Sequence, residues 1–134
     1  MPRIFISYRR NDSAIITGRI NDRLVNEFGK NNVFLDVEKG NIPEGNDFRS
    51  VLQNAVGQCD VMLVIIGPHW LKIEDIENPS SRRLDNPDDF VRMEVKTGLE
   101  RNKSDSILVI PVLVMGANMP SEKDLPEDLH EFPF

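Results

Sequence analysis

The residues best suited to chemistry are an arginine pair, Arg9 and Arg10, and a carboxylate, Glu94. The two arginines come two residues after the apolar run 4–6, separated from it by Ser7 and Tyr8, and the length and composition of that run are typical of a buried strand. Adjacent guanidinium groups at the carboxyl end of a strand favour an anionic ligand, with phosphate as the natural candidate. The alternative is that both arginines are only solvated and that the strand contributes nothing but core. On this stretch alone the two interpretations carry equal weight.

Glu94 belongs to the apolar face of a predicted helix. The stripe is formed by Val91, Val95 and Leu99, with Gly98 beside it. Because Glu94 lies three residues after the first of these and one before the second, we expect its side chain to point inward. A carboxylate on a buried helix face is costly unless it is paired or serves a function. A buried ion pair with one of the arginines, without chemistry, accounts for the position equally well.

The elements that must position these residues alternate between strand and helix. Apolar runs predict four strands, at residues 4–6, 33–35, 61–66 and 107–114. Apolar residues at helical spacing predict three helices, over 13–28, over 48–57, and from 86–89 to about 101. The polar cluster 11–13 is expected to cap the first helix.

The intervening segments are rich in glycine, proline and polar residues. Two loops are predicted, at 37–45 and at 72–89, the second long and with little regular structure. The segment 116–134 is also expected to be loop-like, with a short helical turn near 125–130. Pro111 interrupts the fourth strand mildly, which predicts an edge or bulge position.

This order of buried strands and crossover helices favours an α/β fold with a parallel sheet in three layers. Ligands bind such sheets at the carboxyl ends of the strands. Tyr8, Arg9 and Arg10 follow the first strand, Asp36 ends the second, and Trp70 follows the third. The helix that carries the inward carboxylate begins at the same edge. Trp70 is either a core residue or a stacking platform in this interpretation.

Composition narrows the classes of function. The chain has 134 residues, one domain's worth, and a net charge of −6 argues against nucleic-acid or anionic-membrane binding. Because Cys59 is the single cysteine, the chain cannot form an internal disulfide, which fits a reducing compartment. Cys59 is most simply interpreted as a small core residue. One cysteine with His69 and His130 makes a zinc site improbable. No signal peptide is visible, and no apolar run approaches the roughly 18 residues of a membrane-spanning helix.

Several common catalytic motifs are absent from the sequence. There is no dinucleotide-binding glycine fingerprint, no P-loop and no nucleophile elbow. His69 and His130 have no evident serine or cysteine nucleophile, so they are interpreted as a loop residue and a surface residue. The chemistry therefore rests on the arginines and Glu94.

Three motifs resemble those of the TIR (Toll/interleukin receptor) domain family, in particular its NAD-cleaving branch in bacterial defence proteins and the animal axon-degeneration NADase. The first is Phe-Ile-Ser-Tyr-Arg-Arg-Asn-Asp at 5–12. The second runs from Val-Phe-Leu-Asp-Val-Glu at 33–38 through Ile-Pro-Glu-Gly at 42–45 to Phe48. The third is Phe-Val-Arg-Met-Glu-Val at 90–95. They occur in the family's order and spacing and together cover residues 3–115.

The resemblance implies a fold and a set of site residues. The implied fold is flavodoxin-like, with a parallel sheet of order 2-1-3-4-5. Glu94 matches the catalytic glutamate. The implied lining of the NAD pocket is Tyr8, Arg9, Arg10, Phe34, Asp36 and Trp70. The loop that gates the site and mediates assembly would contain Glu38, Lys39, Gly40, Ile42, Pro43, Glu44 and Gly45.

The implied activity is cleavage of the nicotinamide–ribose bond of NAD+, switched on by self-association of TIR domains. NAD+ is then the substrate, and no metal or other cofactor is expected. The expected setting is the cytoplasm, in bacterial immune defence, with no nucleic-acid or membrane partner. Water or the adenine of the same molecule could capture the ribosyl cation, so hydrolase and cyclase both stay open.

Two departures from the family pattern stand out. Phe90 occupies a position where many relatives have tryptophan. The family's last strand and helix are also missing, so either they lie outside this chain or the domain is natively short. We expect residues 1–134 to form a single domain at the N-terminal end of a longer protein.

Two other functions share the fold. A non-catalytic TIR adaptor would only scaffold partners, and such domains typically lack the glutamate at position 94. A phosphoacceptor receiver domain needs an acidic pair after the first strand and an aspartate ending the third. Those places hold Tyr-Arg-Arg at 8–10 and Ile-Gly-Pro at 66–68, so that alternative ranks last.

Overall fold

The computed structural model describes residues 2–35, 48–104 and 106–132. The strands are β1 Ile4–Ser7, β2 Val33–Leu35, β3 Val61–Ile66 and β4 Leu108–Leu113. The helices are α1 Arg10–Phe28, α2 Phe48–Gly57 and α3 Phe90–Lys103. The strands form one parallel sheet of order β2-β1-β3-β4, as predicted.

The two faces of the sheet are covered by different helices. Residues of β1 alternate between them because successive side chains of a strand point in opposite directions. Phe5 joins the cluster beneath α2 and α3, whereas Ile4, Ile6 and Tyr8 join the cluster beneath α1. Burial of these two apolar sets supplies the main driving force for the three-layer arrangement.

Helix α1 begins at Arg10, three residues before its predicted start. Its N-cap is Arg9, which makes no side-chain cap hydrogen bond, and a kink lies at Ser13, where φ is −140° and ψ is 25°. The prediction that residues 11–13 cap this helix was wrong, because the N-cap is Arg9 and the side chain of Asp12 binds another part of the chain. Its carboxylate accepts hydrogen bonds from the backbone N–H groups of Gly67 and His69, at 2.8 and 2.7 Å, in the turn after β3.

Helix α3 begins at Phe90, one residue after the predicted start at 86–89, and extends two residues past its predicted end. The N-cap is Asp89, whose side chain accepts a hydrogen bond from the backbone N–H of Arg92. The helix packs closely on β3 at Gly98, where an added Cβ would lie only 2.7 Å from the sulfur of Met62. This close approach holds the inner face of α3 against the sheet.

The loop between β3 and α3 is more ordered than predicted. Residues Arg83–Asp85 form a 3₁₀ turn, and Glu74 makes an isolated antiparallel bridge with Arg82. The guanidinium of Arg92 donates to the carbonyl oxygens of Leu84 and Asp85, at 3.2 and 3.0 Å. The polar composition of the loop did not predict this regular structure, because the arginine that stabilises it, Arg92, belongs to the next helix.

Strand β4 lies at the edge of the sheet among the described strands, as Pro111 predicts. The N–H groups of Leu108 and Val114 donate to carbonyl oxygens on the β3 side, those of Asp60 and Ile66. Because backbone polar groups alternate along a strand, position 111 faces the open edge. The missing N–H of proline therefore removes no hydrogen bond from the β3–β4 ladder.

The segment after β4 packs onto the core. A 3₁₀ turn at Glu127–Leu129 lies within the predicted helical turn. Leu125, Leu129 and Phe132 are all buried, and the Phe132 ring centroid is 6.0 Å from that of Trp70. This segment therefore covers the aromatic residue that follows β3. None of the described helices is long and apolar enough to cross a membrane.

Candidate active site

Glu94 is fully buried on the inner face of α3, as its spacing predicts. The hydroxyl of Ser7, the last residue of β1, donates a hydrogen bond to Glu94 Oε1 at 2.8 Å. Ser7 is also fully buried. The carboxyl end of the central strand and the first turns of α3 thus meet at a carboxylate that bulk water does not reach in this conformation.

Arg9 is buried a short distance along the same edge, with only 3% of its surface exposed. Its guanidinium makes a bidentate pair with Asp89, at 3.0 and 2.8 Å, and its Nε donates to the backbone carbonyl oxygen of Trp70 at 2.9 Å. Asp89 is the N-cap of α3, so one side chain joins the ends of β1, the β3 turn and the helix that carries Glu94. The sequence offered a pair between an arginine and Glu94; the structure pairs Arg9 with Asp89.

Trp70 is fully buried, which places it in the core in this conformation. Its ring centroid is 6.0 Å from that of Phe132 and 5.9 Å from the guanidinium carbon of Arg9. The indole Nε1 has no hydrogen-bond partner in the described part of the chain. A buried indole N–H is normally paired, so this donor is an exception at the edge.

The turn that carries Trp70 is itself anchored to α1. Asp12 reaches across the sheet edge and holds two backbone N–H groups of this turn. The carboxylate fits there only because Gly67 has no side chain, since an added Cβ would lie 2.5 Å from Asp12 Oδ2. Two charged side chains, one after β1 and one in α1, therefore fix the β3 turn.

The structure joins two of the predicted pocket residues to each other at the edge that carries Glu94. Arg9 and Trp70 are joined by the hydrogen bond described above. Tyr8 lies in the cluster beneath α1, on the opposite face of the sheet from Ser7. Arg10 is exposed, and Phe34 is half-buried on β2. Asp36 and the predicted assembly loop, residues 38–45, lie outside the described residues.

Sequence reasoning missed three residues that build this edge: Ser7, Asp12 and Asp89. Strand alternation was the available signal for Ser7, because positions 5, 7 and 9 share one face of β1. The position of Asp89 directly before an apolar helix indicates an N-cap. No signal in the sequence connected Asp12 to the β3 turn.

A metal centre and a surface groove are two other kinds of site that could bind a ligand. No group of three or more His, Cys, Asp or Glu side chains that could hold a metal ion occurs in the described ranges. A surface groove lies between α2 and α3, where its lining includes Gln53, Met93 and Lys96. It lies on the outer side of α3, so it is separate from the buried carboxylate.

The chemistry available at this edge is electrostatic. A carboxylate in a water-excluded site interacts with a nearby positive charge far more strongly than it would in water. The hydroxyl of Ser7 donates a hydrogen bond to one of its two oxygens. Such a group is suited to stabilise a cation that develops on a ligand bound at the carboxyl ends of the strands.

Comparisons with known proteins agree on the fold. A family model described as "TIR domain" matches residues 4–133. A solved structure of the TIR domains in the activated Roq1 resistosome, which directly recognises the pathogen effector XopQ, matches with a TM-score of 0.62 at 16% identity. The match covers 96% of this chain and 66% of that one. A search of curated proteins finds no match.

Proposed function

The chain belongs to the TIR domain family, and from that premise we propose that it is an NAD+-cleaving effector domain in which Glu94 is the catalytic residue. The observation that carries the proposal is the complete burial of Glu94 at the carboxyl edge of the sheet, with a hydroxyl donor on one oxygen. Burying a carboxylate costs several kcal/mol unless it is compensated, roughly 3 kcal/mol or more by general estimates. A functional role accounts for a carboxyl group at this buried position.

The reaction needs little from the protein beyond this charge. When the nicotinamide–ribose bond breaks, nicotinamide leaves as a neutral base and the ribose becomes oxocarbenium-like. A carboxylate beside the ribose stabilises that positive charge as it develops. Water then gives ADP-ribose, or the adenine of the same molecule gives a cyclic product.

Substrate contacts in this proposal come from the same edge. Arg10 is exposed beside it and is suited to a phosphate of NAD+. The proposed lining also contains Tyr8, Arg9, Phe34, Asp36 and Trp70. Since Glu94 and Trp70 are fully buried, NAD+ enters only after the edge opens. We therefore include activation by self-association as part of the proposal, with residues 38–45 as the assembly loop and a cytoplasmic defence system as the setting.

The test is nicotinamide release from NAD+, measured by chromatography at high protein concentration and again with the chain fused to an oligomerising domain. Glu94→Gln keeps the shape of the side chain and removes its charge, so we expect release to fall by about 100-fold or more. Glu100→Gln is the matched control, because Glu100 is exposed on the same helix. Thermal unfolding of both variants separates loss of activity from loss of fold.

A scaffold without catalysis is the second candidate. The full burial of both Glu94 and Trp70 favours it, because neither side chain is accessible to a ligand in this conformation. A fused, folded wild type that releases no nicotinamide would contradict the enzyme proposal and support the scaffold. Equal release from the wild type and Glu94→Gln would contradict Glu94 as the catalytic residue.

A further inference from the structure

Ser7 and Glu94 form the most enclosed polar contact at the sheet edge. The residues are 87 positions apart in sequence, both are fully buried, and the hydroxyl and carboxylate oxygens are 2.8 Å apart. A hydrogen bond to a charged group is stronger than one between neutral groups, and burial prevents water from replacing a lost donor. The position of the Glu94 carboxylate therefore depends on Ser7 directly.

The strand that carries Ser7 is well suited to hold a fixed donor. β1 is an inner strand that pairs with β2 on one side and β3 on the other, and Ser7 itself pairs with Val64. Two residues along the chain, Arg9 holds Asp89 at the start of α3. The helix is thus tied to the end of β1 at its N-cap and, five residues later, at the carboxylate.

These two ties have different consequences. The Arg9–Asp89 pair places the helix as a body, whereas the Ser7 hydroxyl sets the rotation of one carboxylate group. We infer that Ser7 is a positioning residue for catalysis, which orients the Glu94 carboxylate toward the ribose of NAD+. This inference rests on the proposed function and gives a catalytic consequence to a residue that the sequence prediction left out of the site.

A positioning role predicts a specific kinetic pattern. Loss of the hydroxyl leaves NAD+ binding intact and lets the carboxylate turn away from the developing cation. Ser7→Ala should therefore lower kcat about tenfold, the effect of one hydrogen bond to a charged group, while KM stays within about twofold. A residue that only supports the fold would change the amount of active protein or the melting temperature and not this ratio.

The matched control is Ser13→Ala, which removes another buried serine hydroxyl, from α1. We expect kcat and KM of that variant to match the wild type. Ser7→Thr keeps a hydroxyl at position 7 and is expected to recover kcat to within about threefold of the wild type. Nicotinamide release is followed over a range of NAD+ concentrations for all three variants, on the oligomerised chain, with melting temperatures recorded beside the rates.

The outcomes separate this inference from the proposed function. If the wild type is active and Ser7→Ala has the same kcat and KM as Ser13→Ala, the positioning role is overturned and the proposed function stands. A Ser7→Ala defect confined to KM, or a Ser7→Thr variant as slow as Ser7→Ala, also overturns it. A wild type that releases no nicotinamide overturns both proposals together.

Discussion

The two edges of the sheet use arginine in opposite ways. At the carboxyl edge, Arg9 is buried and its main partner is another charge, the carboxylate of Asp89, whose side chain is 10% exposed. At the amino edge, Arg101 of α3 donates to backbone carbonyl oxygens, those of Val56, Cys59 and Ser106. One edge therefore encloses paired charges, while the other uses an arginine to complete backbone hydrogen bonding.

The amino edge contains further contacts of the structural kind. Asn102 donates from its side chain to the carbonyl oxygen of Ile107 at 2.9 Å, and Asp60 accepts from the backbone N–H of Arg3 at the same distance. Each satisfies a backbone group where a strand begins. The amino edge is therefore stabilised by side chain-to-backbone hydrogen bonds. The least exposed ion pair of the described residues, Arg9–Asp89, lies at the edge where we place the chemistry.

The largest loss of stability is expected when the ion pair between Arg9 and Asp89 is broken. Arg9→Ala leaves the partly buried Asp89 carboxylate without its guanidinium, so we expect the free energy of unfolding to fall by about 3 kcal/mol. Arg101→Ala is the matched change at the amino edge, where it releases backbone carbonyl groups but leaves no charge unpaired, and should cost about 2 kcal/mol. Urea denaturation of both variants measures the difference. Equal losses would remove the contrast between the two edges.

A second prediction concerns the turn after β3. Gly67→Ala places a Cβ against the Asp12 carboxylate and should displace it from the two N–H groups that it holds. We expect a loss of about 2 kcal/mol in the free energy of unfolding. Gly18→Ala is the control, since Gly18 is exposed in α1 with no described atom within 4 Å of the added Cβ. It should stabilise the protein by up to about 1 kcal/mol, and a Gly67→Ala variant as stable as that one would contradict the role of Asp12.

The smallest effect concerns pH at the amino edge. Burial raises the pKa of the Cys59 thiol from 9.0 to about 11. The neutral thiol is favoured in the fold, so its contribution is present below pH 9 and is lost as the pH rises toward 11. Relative to Cys59→Ala, the wild type should lose about 1 kcal/mol between pH 8 and pH 10. Urea midpoints at the two pH values test this, and a constant difference between the two proteins would contradict it.

Much of the fold could be predicted from local patterns. The four apolar runs predicted the strands, and the family resemblance implied their order in the sheet. The spacing around Glu94 predicted its inward direction, and Pro111 predicted an edge or bulge position. Each of these depends on residues that are close in sequence or on a rule about parallel sheets. The alternation of β1 also contained the information that Tyr8 and Ser7 face opposite ways, although it was not used.

The partners of the charged residues could not be predicted in the same way. A parallel sheet could place several carboxylates near Arg9. Which of them pairs with it, Asp89, 80 residues away, follows only from the packing of the whole chain. Asp12 looked like a helix cap because its neighbours are good capping residues, yet its carboxylate binds a turn 55 residues further along. Side-chain pairing of this kind depends on distances of a few tenths of an ångström between elements.

Pro111 has a consequence for aggregation. β4 exposes apolar side chains, among them Leu108 at 55%, and its outer backbone lies along the edge of the described sheet. Such a strand is the usual template for unwanted sheet extension between molecules. At the middle of this one, position 111 offers a carbonyl acceptor and no N–H donor, so a foreign strand that pairs with it meets a gap in the ladder. The strand most exposed to misassembly is thus the one in which continuous pairing is interrupted.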